Sequence, residues 1–128
     1  MTRRVTFRAR AGHGQALAER LLHAAALAAE APGCELWLVH RDQDDADIIR
    51  VSEMWAGRKQ CDDALALPGV RENAAEVMRL VAEPPEVVQG HPLGGARMAR
   101  GEAGAIVFSI PDAPDLSQDT VVSDWPAS

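Results

Sequence analysis

The residues best suited to chemistry alternate along one short segment of the chain. Val51, Glu53 and Trp55 are each separated by a single residue, and in an extended strand that spacing puts the three side chains on one face. There an indole ring can wall a flat apolar pocket while its N–H donates to a substrate oxygen. A carboxyl group in apolar surroundings has a raised pKa and can act as a general base. The alternatives are a plain core tryptophan and an ion pair between Glu53 and an arginine such as Arg50, Arg58 or Arg71.

Further candidates lie on a predicted strand before this segment and a predicted helix after it. His40 ends the strand and can take a proton. Asn73 lies on an apolar helical stripe, so its amide must bind a substrate or a backbone group, because an unpaired buried amide costs about 1–3 kcal/mol. We therefore predict that Trp55, Asn73, Glu53 and His40 are catalytic. We predict that the substrate-binding residues are Phe7, Trp37, Val51 and Met78.

Other motifs that would imply a metal or a nucleotide are missing from the sequence. The histidines are scattered without ligand spacing, and the two cysteines, Cys34 and Cys61, form no CxxC pair. Neither GxGxxG nor GxxxxGK[ST] is present. We therefore expect a site without metal or cofactor.

Hydrophobic periodicity predicts the elements that must position these residues. It indicates strands over 4–10, 34–41, 48–55 and 86–91, and helices over 15–30, 57–66 and 69–82. This order predicts an α+β, ferredoxin-like split βαβ fold with an antiparallel sheet. Ile48 and Met54 lie on the sheet face that the chain leaves uncovered, which predicts a homodimer through the sheet faces.

The last 37 or so residues do not fit that unit. We predict a ferredoxin-like domain over 1–91 and a C-terminal arm over 92–128, in which 105–110 is prone to form a strand. The arm either packs across the body or the partner subunit, or is disordered.

Several segments in this order resemble the antibiotic biosynthesis monooxygenase family. They are Ala31-Pro32-Gly33-Cys34, Val51-Ser52-Glu53-Met54-Trp55, Leu67-Pro68-Gly69-Val70 and Pro84-Pro85-Glu86-Val87, and the resemblance covers residues 4–91. It implies a dimeric α+β barrel built from two ferredoxin-like units. It also implies a cofactor-independent monooxygenase acting on a polycyclic phenol, quinol or anthrone of secondary metabolism.

The chain departs from that family at positions that matter for function. Many members carry histidines where this chain has Ala64 and Gly69. Of the residues used by the haem-degrading branch only Trp55 matches, and Ala74 occupies the ligand position, so haem degradation is not expected. The departures favour an alternative, a non-oxidising aromatic- or polyketide-binding, accessory or cyclase-like protein. A dimerising module with a filled core is the third possibility.

Composition and charge limit the classes of partner. The 128 residues are 47% hydrophobic and 25% charged, as in one globular domain, and a net charge of −6 argues against nucleic acid. No apolar run reaches the ~18 residues of a membrane helix, and no signal-peptide core follows the N-terminal arginines. We therefore expect a cytoplasmic protein with no membrane partner. We interpret Arg3, Arg4, Arg8 and Arg10 as a solvated strand edge.

Overall fold

The computed structural model describes residues 1–95 and the strand segments 97–100 and 106–109. The first of these parts contains, in order, β1 (Thr2–Arg8), α1 (Gly14–Ala29), β2 (Cys34–Arg41), β3 (Ile48–Trp55), α2 (Arg58–Leu65), α3 (Pro68–Leu80) and β4 (Glu86–Gly90). The predicted order of strands and helices is confirmed. The largest shift is at the first strand, which begins and ends two residues earlier than predicted, since Ala9 makes only an isolated bridge to Val81.

The sheet is antiparallel throughout, with the strand order β2-β3-β1-β4. β1 and β2 run parallel to each other with β3 between them, which confirms the ferredoxin-like α+β fold. β1 is therefore a central strand. The strand-edge part of the interpretation of the N-terminal arginines is therefore wrong, because β1 is paired on both sides. Arg4, Arg8 and Arg10 are exposed as predicted, whereas Arg3 is partly buried.

The two faces of the sheet differ in cover. Every second residue of β3 is buried under the helices, and the residues in question are Ile49, Val51, Glu53 and Trp55. We call the other side the open face; it carries Leu36, Leu38, His40, Ile48, Arg50, Ser52 and Met54. No helix in residues 1–95 buries this side, and Leu38 is 42% exposed.

Two apolar clusters lie between the sheet and the helices. The first joins α1, β3 and the end of α3 through Ala9, Leu17, Ala18, Leu21, Ile49, Val51, Val77 and Val81. The second, which we call the indole cluster, consists of Ala31, Trp55, Cys61 and Ala64. Its rim is formed by the partly buried Met1, Cys34, Trp37 and Leu65. Trp37 also packs against the first cluster and so connects the two.

The loop between β2 and β3 fixes the start of α1. Asp47 accepts hydrogen bonds from the backbone N–H groups of Gly12 and Gly14, at 3.1 and 2.9 Å. These groups precede and begin the helix, where N–H donors lack helical partners, so a loop carboxylate satisfies them. Gly12 has φ of +80°, a conformation that favours glycine.

The sequence predicts for α3 an apolar stripe of Val70, Ala74, Val77, Met78 and Val81, and the prediction is partly wrong. Ala74 and Met78 are exposed, Met78 by 49%, whereas Asn73 and Val77 are buried. The reason is that α3 packs mainly against α1. Asn73 therefore lies on the buried side of α3 as predicted, and Met78 does not.

The contacts divide the chain into two units, Met1–His91 and Pro92–Ser128. In the second unit β5 (Arg97–Arg100) pairs antiparallel with β6 (Ile106–Ser109). β6 falls within the predicted strand-prone run. The packing predicted for the arm lies outside the described residues. In the part of the chain that the structure covers, no helix has the length and apolarity to span a bilayer.

Candidate functional site

The polar centre of the helix-covered face is Glu53, whose side chain is 1% exposed. Arg3 Nη1 donates a hydrogen bond to its Oε2, and Trp55 Nε1 donates one to its Oε1, each at 2.9 Å. The alternation of β3 points Glu53 and Trp55 to one side, and the pairing of β1 with β3 sets Arg3 directly opposite Glu53. Both carboxylate oxygens therefore have a donor, and each keeps a lone pair for a further one.

The environment of Glu53 shifts its protonation equilibrium. Burial raises the pKa of this carboxyl group above its usual range, and the shift is opposed by the positive charge of Arg3 and by the hydrogen bonds from Trp55 and Arg3. A carboxylate with a raised pKa binds a proton more strongly than an exposed one does. Glu53 is therefore equipped to accept a proton from a weakly acidic hydroxyl or carbon acid.

Glu53 forms the ion pair that was the predicted alternative, but its partner is none of the three arginines named for it. Arg50 instead binds Asp42 at 2.6 Å, and Arg58 donates to Gln89 at 2.7 Å. The partner is Arg3, with 19% of its side chain exposed. A signal was present in the sequence, because Arg3 has the same parity along β1 as the interior Val5, Phe7 and Ala9.

Trp55 is a buried core residue and a partner of Glu53 at once. Only 2% of it is exposed, and it packs with Ala31, Cys61 and Ala64 in the indole cluster. Its N–H points to Glu53 and not to an open pocket. The expectation that this N–H donates to a substrate oxygen is therefore not met in this arrangement; Trp55 instead orients the carboxylate.

Trp37 stands beside Glu53 on the neighbouring strand. The two residues are directly paired across β2 and β3, and so their side chains leave the sheet on the same face. The ring is partly buried and touches both clusters, while its Nε1 is buried without a hydrogen-bond partner among the residues that the structure describes. The ring edge thus presents an unsatisfied donor.

Two of the other three residues predicted to bind the substrate, Val51 and Phe7, belong to the first cluster or pack against it. Val51 is 1% exposed within it, and Phe7 is partly buried against it. They share the sheet face with Glu53 but contribute to the packed core under α1.

His40 lies on the other side of the sheet from Glu53. It pairs with Arg50 across β2 and β3, and its Nε2 is 3.3 Å from Ser52 Oγ on the open face. The sheet therefore separates this imidazole from the carboxylate, and the two cannot serve one proton transfer within a single subunit.

Asn73 and Met78 are likewise not gathered around Glu53. Asn73 is 5% exposed, and its Nδ2 donates to the carbonyl oxygen of Arg20 at 3.0 Å. Its Oδ1 has no partner within the described residues. Asn73 lines an open groove of about 520 Å³ between α1 and α3, to which neither Glu53 nor Trp55 contributes. The hydrogen bond of Nδ2 therefore matches the predicted alternative in which the amide of Asn73 binds a backbone group.

Both cysteines are free thiols, Cys61 within the indole cluster and Cys34 on its rim. Burial raises the pKa of Cys61 and of Cys34, and the negative charge of Glu53 raises both further. A raised pKa keeps a thiol protonated and weakly nucleophilic at neutral pH. Within the residues that the structure describes, no three His, Cys, Asp or Glu side chains converge as a metal site requires.

The comparison with known protein families finds one match. Residues 1–81 match the profile described as antibiotic biosynthesis monooxygenase. No curated protein sequence matches the chain.

Solved structures of similar fold include three of particular use. One is described as an antibiotic biosynthesis monooxygenase from Chloroflexus aurantiacus and is 28% identical to this chain, with a TM-score of 0.58. The match covers 73% of this chain and 100% of that protein. A protein of the same description from Nitrosomonas europaea has 17% identity and a TM-score of 0.68, covering 72% and 97%. A point mutant of SnoaB, a cofactor-independent oxygenase from Streptomyces nogalater, has 20% identity and a TM-score of 0.62, covering 71% and 92%.

Proposed function

The chain belongs to the antibiotic biosynthesis monooxygenase family, and from that premise we propose that it is a cofactor-independent monooxygenase of secondary metabolism. The proposed substrate is a polycyclic phenol, quinol or anthrone. The observation that carries the proposal is the buried carboxylate of Glu53, held between Arg3 and Trp55. A solved relative of the same fold, SnoaB, is described as a cofactor-independent oxygenase, which supports a reaction of this type.

In the proposed reaction the substrate supplies the electrons. Glu53 removes a proton from a hydroxyl or from the activated CH₂ of an anthrone, and the resulting anion is oxidised by dioxygen. For an anthrone, the CH₂ becomes C=O, one oxygen atom enters the product, and the other leaves as water with the two hydrogens. Catalysis by the protein then consists of proton transfer and of positioning, each of which contributes to the rate.

The rim of the indole cluster supports an approach route for a flat substrate. Cys34, Trp37 and Leu65 are only partly buried, whereas Cys61 and Ala64 behind them are buried. α2 covers this region through Cys61 and Ala64, its two buried residues.

The decisive test is oxygen uptake with dithranol as the model anthrone. The Glu53→Gln variant keeps the side-chain shape and loses the base, so we expect uptake to fall by about 10²–10⁴-fold. Glu35→Gln, which changes an exposed glutamate near the start of β2, is the control and should retain full uptake. Uptake that is absent in the wild type, or equal in the wild type and Glu53→Gln, would contradict the proposal.

One observation favours the binding-only alternative. Ala64, where many relatives carry a histidine, lies in the indole cluster against Trp55, so this site lacks an imidazole there. An aromatic- or polyketide-binding protein would bind dithranol without oxygen and consume no oxygen in air. A dimerising module with a filled core would not bind it at all.

The remaining parts of the proposal concern assembly and location. We propose a homodimer through the open face, whose apolar residues include Leu36, Leu38, Ile48 and Met54, and a cytoplasmic site of action. Dimers of this kind are the implication of the family resemblance.

A further inference from the structure

The starting point is an indole donor that the fold leaves without a partner. Trp37 Nε1 is buried and has no acceptor in the part of the chain that is described. A buried, unsatisfied donor costs about 1–3 kcal/mol, and so such groups are uncommon in folded proteins. The indole of Trp55 on the next strand shows the usual outcome, since its N–H has a carboxylate acceptor at 2.9 Å.

The position of Trp37 relates this donor to the candidate base. Trp37 and Glu53 are direct partners across β2 and β3, on the helix-covered face. Directly opposed side chains have Cβ atoms about 4.5–5.5 Å apart. An oxygen atom that loses its proton to Glu53 would therefore be formed within the neighbourhood of the Trp37 ring.

The two donors that contact Glu53 bind its carboxylate, so a further donor is needed for the substrate oxygen. Arg3 and Trp55 both donate to the carboxylate of Glu53, which fixes its orientation and favours its ionised form. When the proton arrives, negative charge moves to the substrate oxygen. A donor already buried beside that oxygen stabilises the charge without reorganisation, which is the requirement for an oxyanion site.

We propose that the indole N–H of Trp37 is the hydrogen-bond donor that binds the phenolate oxygen of the substrate. This inference rests on the proposed function and names the chemical group recognised: an aromatic hydroxyl that becomes an oxyanion. In the step concerned, the O–H bond breaks, the proton passes to a carboxylate oxygen of Glu53, and the electron pair remains on the substrate oxygen. That oxygen then accepts a hydrogen bond from Trp37 Nε1.

Alizarin is a suitable probe, because it is a hydroxyanthraquinone that is already oxidised and changes colour when it ionises. We expect the wild-type protein to bind alizarin and to lower the pH at which the bound dye ionises. Trp37→Phe keeps an aromatic ring and removes the N–H, so we expect the ionisation constant of the bound dye to fall about tenfold, since hydrogen bonds to charged groups are worth at least that factor. Glu35→Gln should match the wild type.

Proton NMR of the ¹⁵N-labelled wild type provides a test that needs no variant. We expect the indole N–H proton resonance of Trp37 to move downfield when alizarin is added, while that of Trp55 keeps its position. The two indole resonances are assigned by connecting each to the backbone resonances of the same residue. An unmoved Trp37 resonance, equal dye ionisation in the wild type and Trp37→Phe, or no binding of alizarin would each overturn the inference.

The dithranol assay separates this inference from the proposed function. Oxygen uptake together with an unmoved Trp37 resonance would leave the oxygenase standing and remove the donor role of Trp37. A shifted Trp37 resonance and a shifted dye ionisation without oxygen uptake would support the donor role and contradict the oxygenase.

Discussion

The indole N–H of Trp55 is bound to Oε1 of Glu53 at 2.9 Å, two residues away on the same strand. A buried tryptophan thereby positions a buried carboxylate whose other oxygen is bound to Arg3. Arg3 lies 50 residues before Glu53 in the chain, whereas Trp55 lies two residues after it. It connects the stability of the indole cluster with the protonation of the candidate base.

Trp55→Phe should cost more stability than the same change at Trp37. The first substitution removes the donor to Glu53 and leaves a buried carboxylate oxygen unpaired. This lowers the unfolding free energy by about 1–3 kcal/mol, in addition to the loss caused by the smaller ring. The second removes an N–H that has no partner in the described structure. Urea unfolding of both variants measures the difference, and equal losses of unfolding free energy would contradict it.

The unfolding free energy should depend on pH through Glu53. Its pKa is raised in the folded state above the usual value of 4.5, so the folded protein retains this proton to a higher pH than the unfolded chain does. Stability relative to Glu53→Gln should therefore be greatest below about pH 4.5 and fall as the pH rises through the folded-state pKa. The positive charge of Arg3 and the hydrogen bonds from Trp55 and Arg3 oppose this increase in the pKa of Glu53.

The measurement is the difference in unfolding free energy between the wild type and Glu53→Gln across the pH range. Taking the difference cancels other carboxylates such as Asp42, whose pKa is lowered by its hydrogen bond from Arg50 and which acts in the opposite direction. A difference that rises with pH above 4.5 would show that the Arg3 charge outweighs burial.

Arg3→Gln should move the activity to higher pH. Arg3 is the positive charge that opposes the effect of burial on Glu53, so without it the pKa of the carboxyl group rises further. A base must be ionised to act, and so the acid limb of kcat/KM for dithranol oxidation should shift to higher pH. Arg4→Gln, one residue along β1 and exposed, is the matched control. A similar shift in both variants, or no shift in Arg3→Gln, would reject this role for Arg3.

Leu38→Glu should dissociate the proposed homodimer. Leu38 is 42% exposed on the open face, where a second copy would bury it, and a buried unpaired carboxylate is costly. Light scattering should then report a monomer for this variant and a dimer for the wild type. Leu22→Glu, at a 57% exposed leucine of α1, should stay dimeric. A wild-type monomer would refute the interface.

The local pattern of the sequence was sufficient to predict the strands and helices and to predict which residues of β3 share a face. Alternating side chains have a period of two, so the chain itself shows that Val51, Glu53 and Trp55 point the same way. The order of strands and helices followed from period and turn residues, and the ferredoxin-like fold from that order. The break before α3 was marked by Pro68, which begins the helix.

The partners of those side chains depended on strand order and register, which are long-range properties. Only the pairing of β1 with β3 shows that Glu53 meets Arg3, and only the pairing of β2 with β3 shows that Trp37 is on its side while His40 is not. The packing of α3 on α1 turned Met78 outward and bound Asn73 to a backbone carbonyl. Periodicity determines which residues of an element share a face. A hydrogen bond also needs a partner from elsewhere in the chain, and the tertiary structure decides which partner lies within reach.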